Sequence, residues 1–240
     1  MKKVVLITGG TSGIGLALAE AFLLQGADVV VCARSEESVL RFSQKHPGAL
    51  ALKADITCEP DRRAMLDTIA SRFGRLDILV SNAGTYVERD FAAGVDAIHG
   101  LEQEVSVNLT APIALTGDVL SRWHSMEAIV FVTAGYALVS PTKAPTYGAV
   151  KAGLRGFAEG LRRQLAPKGT HVLEVLPPAV DTPMNAGKTM PMLPAAKVAA
   201  ITLKALAARN ELALPGQTRF LPLLLRVAPS TIKRMVAGPA

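Results

Sequence analysis

The chain has 240 residues, half of them hydrophobic and 19% charged, enough for one large α/β domain with a substantial core. A formal charge of +6 invites an anionic partner, but the cations are spread along the chain and only three Tyr and one Trp accompany them. That pattern speaks against a nucleic-acid surface and for a phosphorylated cofactor. Cys32 and Cys58 are the only cysteines and sit at no ligand-like spacing, and His46, His99, His124 and His171 are scattered singly. A metal site is therefore not expected, and a reducing, cytoplasmic setting is.

Met1-Lys2-Lys3 and the apolar run after it imitate the start of a signal peptide, but Gly9-Gly10 interrupt the run far short of an h-region. The segment reads as a buried first strand over residues 4–8. Gly9, Gly13 and Gly15 follow it, within Thr8-Gly9-Gly10-Thr11-Ser12-Gly13-Ile14-Gly15, and open a helix over 13–24. Such a loop lets backbone N–H groups approach a pyrophosphate at the positive end of the helix dipole. Its G-x-x-x-G-x-G spacing differs from the usual G-x-G-x-x-G fingerprint.

Further strands are expected over 28–33, 49–53, 77–81, 128–133 and 171–176, and further helices over 36–45, 59–73, 101–123, 146–165 and 193–209. Met65, Ile69 and Phe73 show the i, i+4, i+8 stripe of a buried helix face. This alternation predicts parallel strands joined by right-handed crossovers, hence a doubly wound sheet with no repeat or low-complexity linker. No run reaches the roughly 18 apolar residues of a spanning helix. Ligands bind such a sheet at the carboxyl ends of its strands, and Thr8, Ala33-Arg34, Asp55, Asn82, Thr133 and Pro177 all fall there.

The second strand ends in Val31-Cys32-Ala33-Arg34. An acidic residue there would bond the adenosine ribose of NAD, whereas a neutral Ala followed by Arg favours NADP, whose 2′-phosphate a guanidinium grips in a forked geometry. Glu36 and Glu37 nearby count against that preference, so NAD stays as the lesser alternative.

Tyr147 and Lys151 are four residues apart on a predicted helix and so share one face. An ammonium beside a phenol favours the phenolate, which would bring Tyr147 from about 10 towards neutrality and make it a proton donor for a carbonyl. A lone Y-x-x-x-K more often describes a solvated helix face. The nucleotide-type loop upstream decides for the first reading.

The Gly loop, Ser81-Asn82-Ala83-Gly84 after the fourth strand, Asn108 on the next long helix and Tyr147 with Lys151 together resemble the short-chain dehydrogenase/reductase family, from residue 2 to about 214. The resemblance implies a single-domain α/β Rossmann-type fold of seven parallel strands with helices on both faces, the seventh strand over 212–214. It implies a dinucleotide-binding catalytic domain over 1–214, a nicotinamide cofactor, and a homodimer or homotetramer. In such proteins the loop residues Thr11, Ser12 and Ile14 join the glycines at the cofactor, Asp55 with Ile56 holds the adenine edge, and Asn82, Ala83 and Gly84 line its middle. Lys151 binds the ribose and lowers the Tyr147 pKa, Tyr147 exchanges the proton with the substrate, and Asn108 holds a relay water. After the sixth strand, Pro177, Val180 and Thr182 match the turn that contacts the carboxamide, although Pro178 replaces its usual glycine and removes an N–H.

One member of the pattern is missing. The family has a Ser thirteen residues before the Tyr to hydrogen-bond the substrate oxygen, and here that position is Ala134. Losing one oxyanion donor costs about 2.7–4 kcal/mol. Thr133 replaces it if the loop is one residue longer than usual; in a regular strand it faces away. Ser140 is a second candidate, and a site with no hydroxyl is the third.

The expected function is an NADP(H)-dependent oxidoreductase interconverting a carbonyl and an alcohol, with Tyr147, Lys151, Asn108 and Thr133 as its catalytic group. The alternative is an NADP(H)-binding protein with little catalysis, acting as a sensor or assembly partner. Loops over 135–139 and 184–192 should overhang the nicotinamide, and the Met residues of the second favour an apolar substrate. The 215–240 tail mixes apolar residues with Arg219, Arg226, Lys233 and Arg234. Pro222 and Pro229 restrict it to short helices, which favours packing on its own domain or a subunit contact over a membrane surface.

Overall fold

Strand β1 (Val4–Thr8) is buried at every residue in the computed structural model, which describes residues 2–93 and 97–238. Met1, within the expected first domain, and residues 239–240, at the end of the expected tail, lie outside the described residues, as do 94–96. Burial on both faces is what a central parallel strand requires, and the apolar run Val4-Val5-Leu6-Ile7 supplies it. Strands β2 (Asp28–Ala33) and β4 (Ile78–Ser81) pair with it on either side, followed outward by β3 (Leu50–Lys53) on one edge and β5 (Ala128–Val132), β6 (His171–Val175) and β9 (Leu212–Ala213) on the other. All six pairings are parallel, so the expected doubly wound sheet of seven strands is present. A two-stranded parallel sheet of β7 (Val180–Asp181) and β8 (Leu193–Pro194) is additional.

Alternate residues of each strand enter opposite layers. Val4 and Leu6 pack with α3 (Glu59–Phe73), α5 (Ala111–Arg122) and α6 (Pro145–Leu165) through Ile69, Leu115 and Leu154. Val5 and Ile7 pack with α1 (Gly13–Leu24), α2 (Glu36–Lys45) and α7 (Ala195–Ala207) through Leu18, Phe42 and Val198. Each fully buried Leu, Ile or Phe contributes about 1.5–3 kcal/mol, so these two layers hold the sheet on both sides. Strand order reverses between β1 and β4, which opens a crevice beside Thr8 and Ser81.

The long helix expected over 101–123 is divided. Leu101–Val105 (α4) gives way to a π-helical turn, Ser106–Thr110, before α5 begins. Pro112 is the cause: it has no N–H for the Asn108 carbonyl four residues back, and Ala111 N–H bonds to Ser106 O across five residues instead. Asn108 thus sits in the widened turn.

As expected, Pro222 and Pro229 keep the tail in short helices, which they do by starting them. They stand in the first turns of α8 (Leu221–Val227) and α9 (Pro229–Ala237), where a missing N–H costs nothing. The tail folds back over the carboxyl ends of the strands, with Thr142 N–H donating to Ala237 O at 2.9 Å and Leu221 and Ile232 buried. No helix among the described residues is long and apolar enough to cross a membrane.

Candidate active site

The loop after β1 is shaped to receive a phosphate. Gly9 and Gly13 adopt φ of +64° and +53°, in the left-handed region. At Gly15 an added Cβ would lie 2.2 Å from Gly9 O and 2.5 Å from Asn82 Nδ2, so only Gly permits this approach of α1 to the loop. The Thr8 hydroxyl accepts from the N–H groups of Asn82 and Ala83, each at 3.0 Å, and Asn82 Nδ2 donates to Thr8 O at 2.9 Å. These bonds tie the ends of β1 and β4 together beneath the crevice. Ser12, at the start of α1, makes no capping bond through its side chain, and the first turn holds no acidic residue. The free N–H groups and the cradle fit a cofactor's pyrophosphate.

At the end of β2, Arg34 is exposed and forms no ion pair with the described residues. The two nearby carboxylates are engaged elsewhere: Glu36 with Lys53 at 3.1 Å and Glu37 with Arg41 at 3.2 Å. Asp55 accepts from the N–H and hydroxyl of Thr57 at 2.9 and 2.7 Å, and Ile56 beside it is buried. An added Cβ at Gly13 would lie 3.0 Å from Thr182 Cγ2, which brings the loop after β6 against the Gly loop.

A cleft of about 1840 Å³ runs from the Gly loop past Tyr147 to α8 and α9. Of the residues expected to bind cofactor or to take part in catalysis, all but Gly15, Asn108 and Ser140 line it. Asn108 lies just behind: its Nδ2 donates to Thr85 O at 2.9 Å and Glu104 O at 3.1 Å, and its Oδ1 accepts from Thr85 N–H at 3.2 Å. It staples the post-β4 loop to the π turn.

Two expectations need correction. Thr133 does not present its hydroxyl to Tyr147: the hydroxyl lies 2.8 Å from Glu174 Oε1 and 3.1 Å from Val175 O, on the β6 side. Alternation along the chain turns Ala134 towards Tyr147 instead, and the two pack together. Ser140 is not among the residues lining the cleft; its hydroxyl points to Pro145 O at 3.4 Å and fills the space beside Gly148. The second correction concerns acidity. Burial, followed by the phenols of Tyr86 and Tyr136 and the carboxylate of Glu104, pushes the Tyr147 pKa up rather than down. Burial lowers Lys151 to about 8. The helix spacing places Lys151 Nζ 5.6 Å from the centre of the Tyr147 ring, and Nζ donates to Val132 O at 3.2 Å.

Several site residues carry little signal in the sequence. All three tyrosines of the chain meet here: Tyr86 and Tyr136 pack edge-on to Tyr147, with ring centres 5.1 and 6.4 Å away. Lys188 lies 4.1 Å above the Tyr86 ring. Beneath them, Arg89 and Glu104 form a buried ion pair at 3.1 Å, and Thr146 donates to Glu104 Oε2 at 2.7 Å. A long-range pair of this kind leaves no local sequence signal; the Tyr cluster leaves only the fact that Tyr86 closely follows Asn82-Ala83-Gly84. No group of three or more His, Cys, Asp or Glu among the described residues is arranged to hold a metal.

Residues 3–192 match the short chain dehydrogenase family. The uncharacterized oxidoreductase DltE of Bacillus subtilis (strain 168) is 37% identical over 185 residues, covering 75% of this chain and 73% of that protein. A single-substitution variant of actinorhodin polyketide ketoreductase, solved with NADPH, superposes with a TM-score of 0.79 at 26% identity, over 88% of this chain and 94% of its own. A 3-ketoacyl-(acyl-carrier-protein) reductase from Brucella melitensis complexed with NADH gives a TM-score of 0.81 at 26% identity, also over 88% and 94%.

Proposed function

The chain belongs to the short chain dehydrogenase family, and on that premise we propose that it is an NADP(H)-dependent reductase of apolar ketones or aldehydes, with Tyr147 as the general acid/base. The observation that carries this reading is the Tyr147 phenol, buried at the cleft and held protonated by its surroundings, on the same cleft as the pyrophosphate cradle. A bound nicotinamide supplies hydride to the carbonyl carbon.

The chain's own residues do the rest. Tyr147 gives its phenolic proton to the carbonyl oxygen, and in the reverse direction takes it back. Lys151 spends one donor on Val132 O and keeps the others for the cofactor's ribose hydroxyls. The Lys151 ammonium, 5.6 Å from the centre of the Tyr147 ring, is a cation on the same helix face for a phenolate left on Tyr147. Asn108 holds the loop that borders Tyr147 in register with the helix below. The Arg34 guanidinium, with Glu36 and Glu37 otherwise engaged, supports NADP over NAD.

The far end of the cleft supports an apolar substrate: Met184, Met190, Leu221, Leu224, Ile232 and Met235 line it. The test is NADPH oxidation against a panel of 2-octanone, 4-nitrobenzaldehyde and menadione. Turnover of one or more by wild type supports the reading. A second reading, a cofactor-binding protein with little chemistry, is favoured by Ala134 together with the engaged Thr133 hydroxyl. NADPH binding with no turnover would select it.

A further inference from the structure

A carbonyl oxygen that becomes an alkoxide accepts at two positions, and Tyr147 serves one of them. With Ala134 beside it and Thr133 turned towards Glu174, the second position needs another donor. Of the threonine hydroxyls along the cleft, Thr182 points to Val180 O at 3.3 Å and Thr218 to Pro215 O at 2.7 Å, while the Thr85 oxygen accepts from Asn108 Nδ2 at 3.4 Å. Among the phenols, Tyr86 donates to Glu88 Oε1 at 3.3 Å. The Tyr136 ring packs against both Tyr147 and Ala134, and its hydroxyl has no hydrogen-bond partner among the described residues.

We infer that the Tyr136 hydroxyl donates the second hydrogen bond to the substrate's carbonyl oxygen, in the place that Ala134 leaves without a hydroxyl. The inference rests on the reductase reading above. Tyr136 lies two residues beyond Ala134, in a 3-10 turn over Gly135–Ala137 fixed by Gly135 N–H to Pro177 O and Ala137 N–H to Ala134 O, both at 2.9 Å. Its ring stands at 81° to that of Tyr147, and both rings pack with Ala134 on the wall of one cleft. The donor is carried on a rigid ring reaching in from the turn rather than on a short side chain of the strand end. Burial and Glu88 raise the Tyr136 pKa, so the phenol stays protonated and able to donate.

The test compares wild type, Tyr136→Phe, Ala134→Ser and the double variant in the full chain, with NADPH and the carbonyl panel, and with NADPH affinity measured by fluorescence. Tyr136→Phe should lower kcat/KM by about 10²–10³-fold, the effect of one oxyanion donor, with NADPH affinity unchanged. Adding Ala134→Ser to that variant should restore much of the loss. An undiminished Tyr136→Phe overturns the inference, as does a loss matched by lost NADPH binding, which would mark a packing role. A silent wild type rescued by Ala134→Ser also overturns it. If both are silent, the reductase reading itself fails and takes the inference with it.

Discussion

Lys151 Nζ faces the ring of Tyr147, 5.6 Å from its centre, and gives a hydrogen bond to Val132 O rather than to the phenol. An ammonium buried in this way is costly, and burial lowers its pKa from 10.5 to about 8. Across that window the unfolded chain binds more protons than the folded one, so Lys151 makes stability rise with pH. Cys32, raised by burial from 9.0 to about 12, acts in the opposite sense above about pH 9. The cofactor-free protein should therefore gain more stability between about pH 7.5 and pH 9 than a Lys151→Met variant does. Urea unfolding at both pH values measures this, and equal gains in the two proteins would contradict it.

The ion pair between Arg89 and Glu104 lies beneath Tyr147, with both side chains almost fully buried. Arg89 also donates to Ala97 O and His99 O, at 2.9 and 2.6 Å. Arg89→Met leaves the Glu104 carboxylate buried without its cation and should cost about 3–5 kcal/mol. Arg89→Met with Glu104→Leu should cost less than Arg89→Met alone, because the orphaned charge is gone. Denaturant unfolding of the set decides; a double variant less stable than either single one would contradict the account.

Arg34 should set the choice of nicotinamide. Arg34→Ala removes a charge-assisted bond and should weaken NADPH binding by about tenfold to a hundredfold, leaving NADH nearly unaffected. Titration of both cofactors checks this. Equal losses for both would place Arg34 outside phosphate recognition.

The tail should act on substrate rather than on chemistry. Ile232 is buried where α9 meets the cleft, so Ile232→Ser should raise KM for 2-octanone while kcat for a small aldehyde holds. A matching fall in kcat for both substrates would mean the helix supports the domain as a whole.

Features encoded locally are legible in the sequence. The Gly loop, the strand and helix alternation and the end of β2 are fixed by neighbours a few residues apart, and the structure has them within a residue or two. The π turn is legible in principle, since Pro112 stands four residues after Asn108, but a continuous apolar pattern hides it. The division of the tail into short helices is legible from Pro222 and Pro229, each of which falls in the first turn of one of them. The acidity of Tyr147 is not legible, because spacing puts Lys151 on the same face without fixing which atom it meets. Its burial and the groups that oppose a phenolate there, Tyr86, Tyr136 and Glu104, come from segments distant in sequence. The Arg89 and Glu104 pair, and the gathering of three tyrosines, exist only once the chain is folded.

The central claim is that Tyr147 exchanges the proton with the substrate oxygen. Its most direct measurement is kcat/KM for NADPH-driven carbonyl reduction by wild type and Tyr147→Phe, with NADPH affinity followed in parallel. The account predicts a loss of at least about 10²-fold in turnover with cofactor affinity retained. A Tyr147→Phe variant that binds NADPH and reduces the carbonyl at the wild-type rate would contradict it.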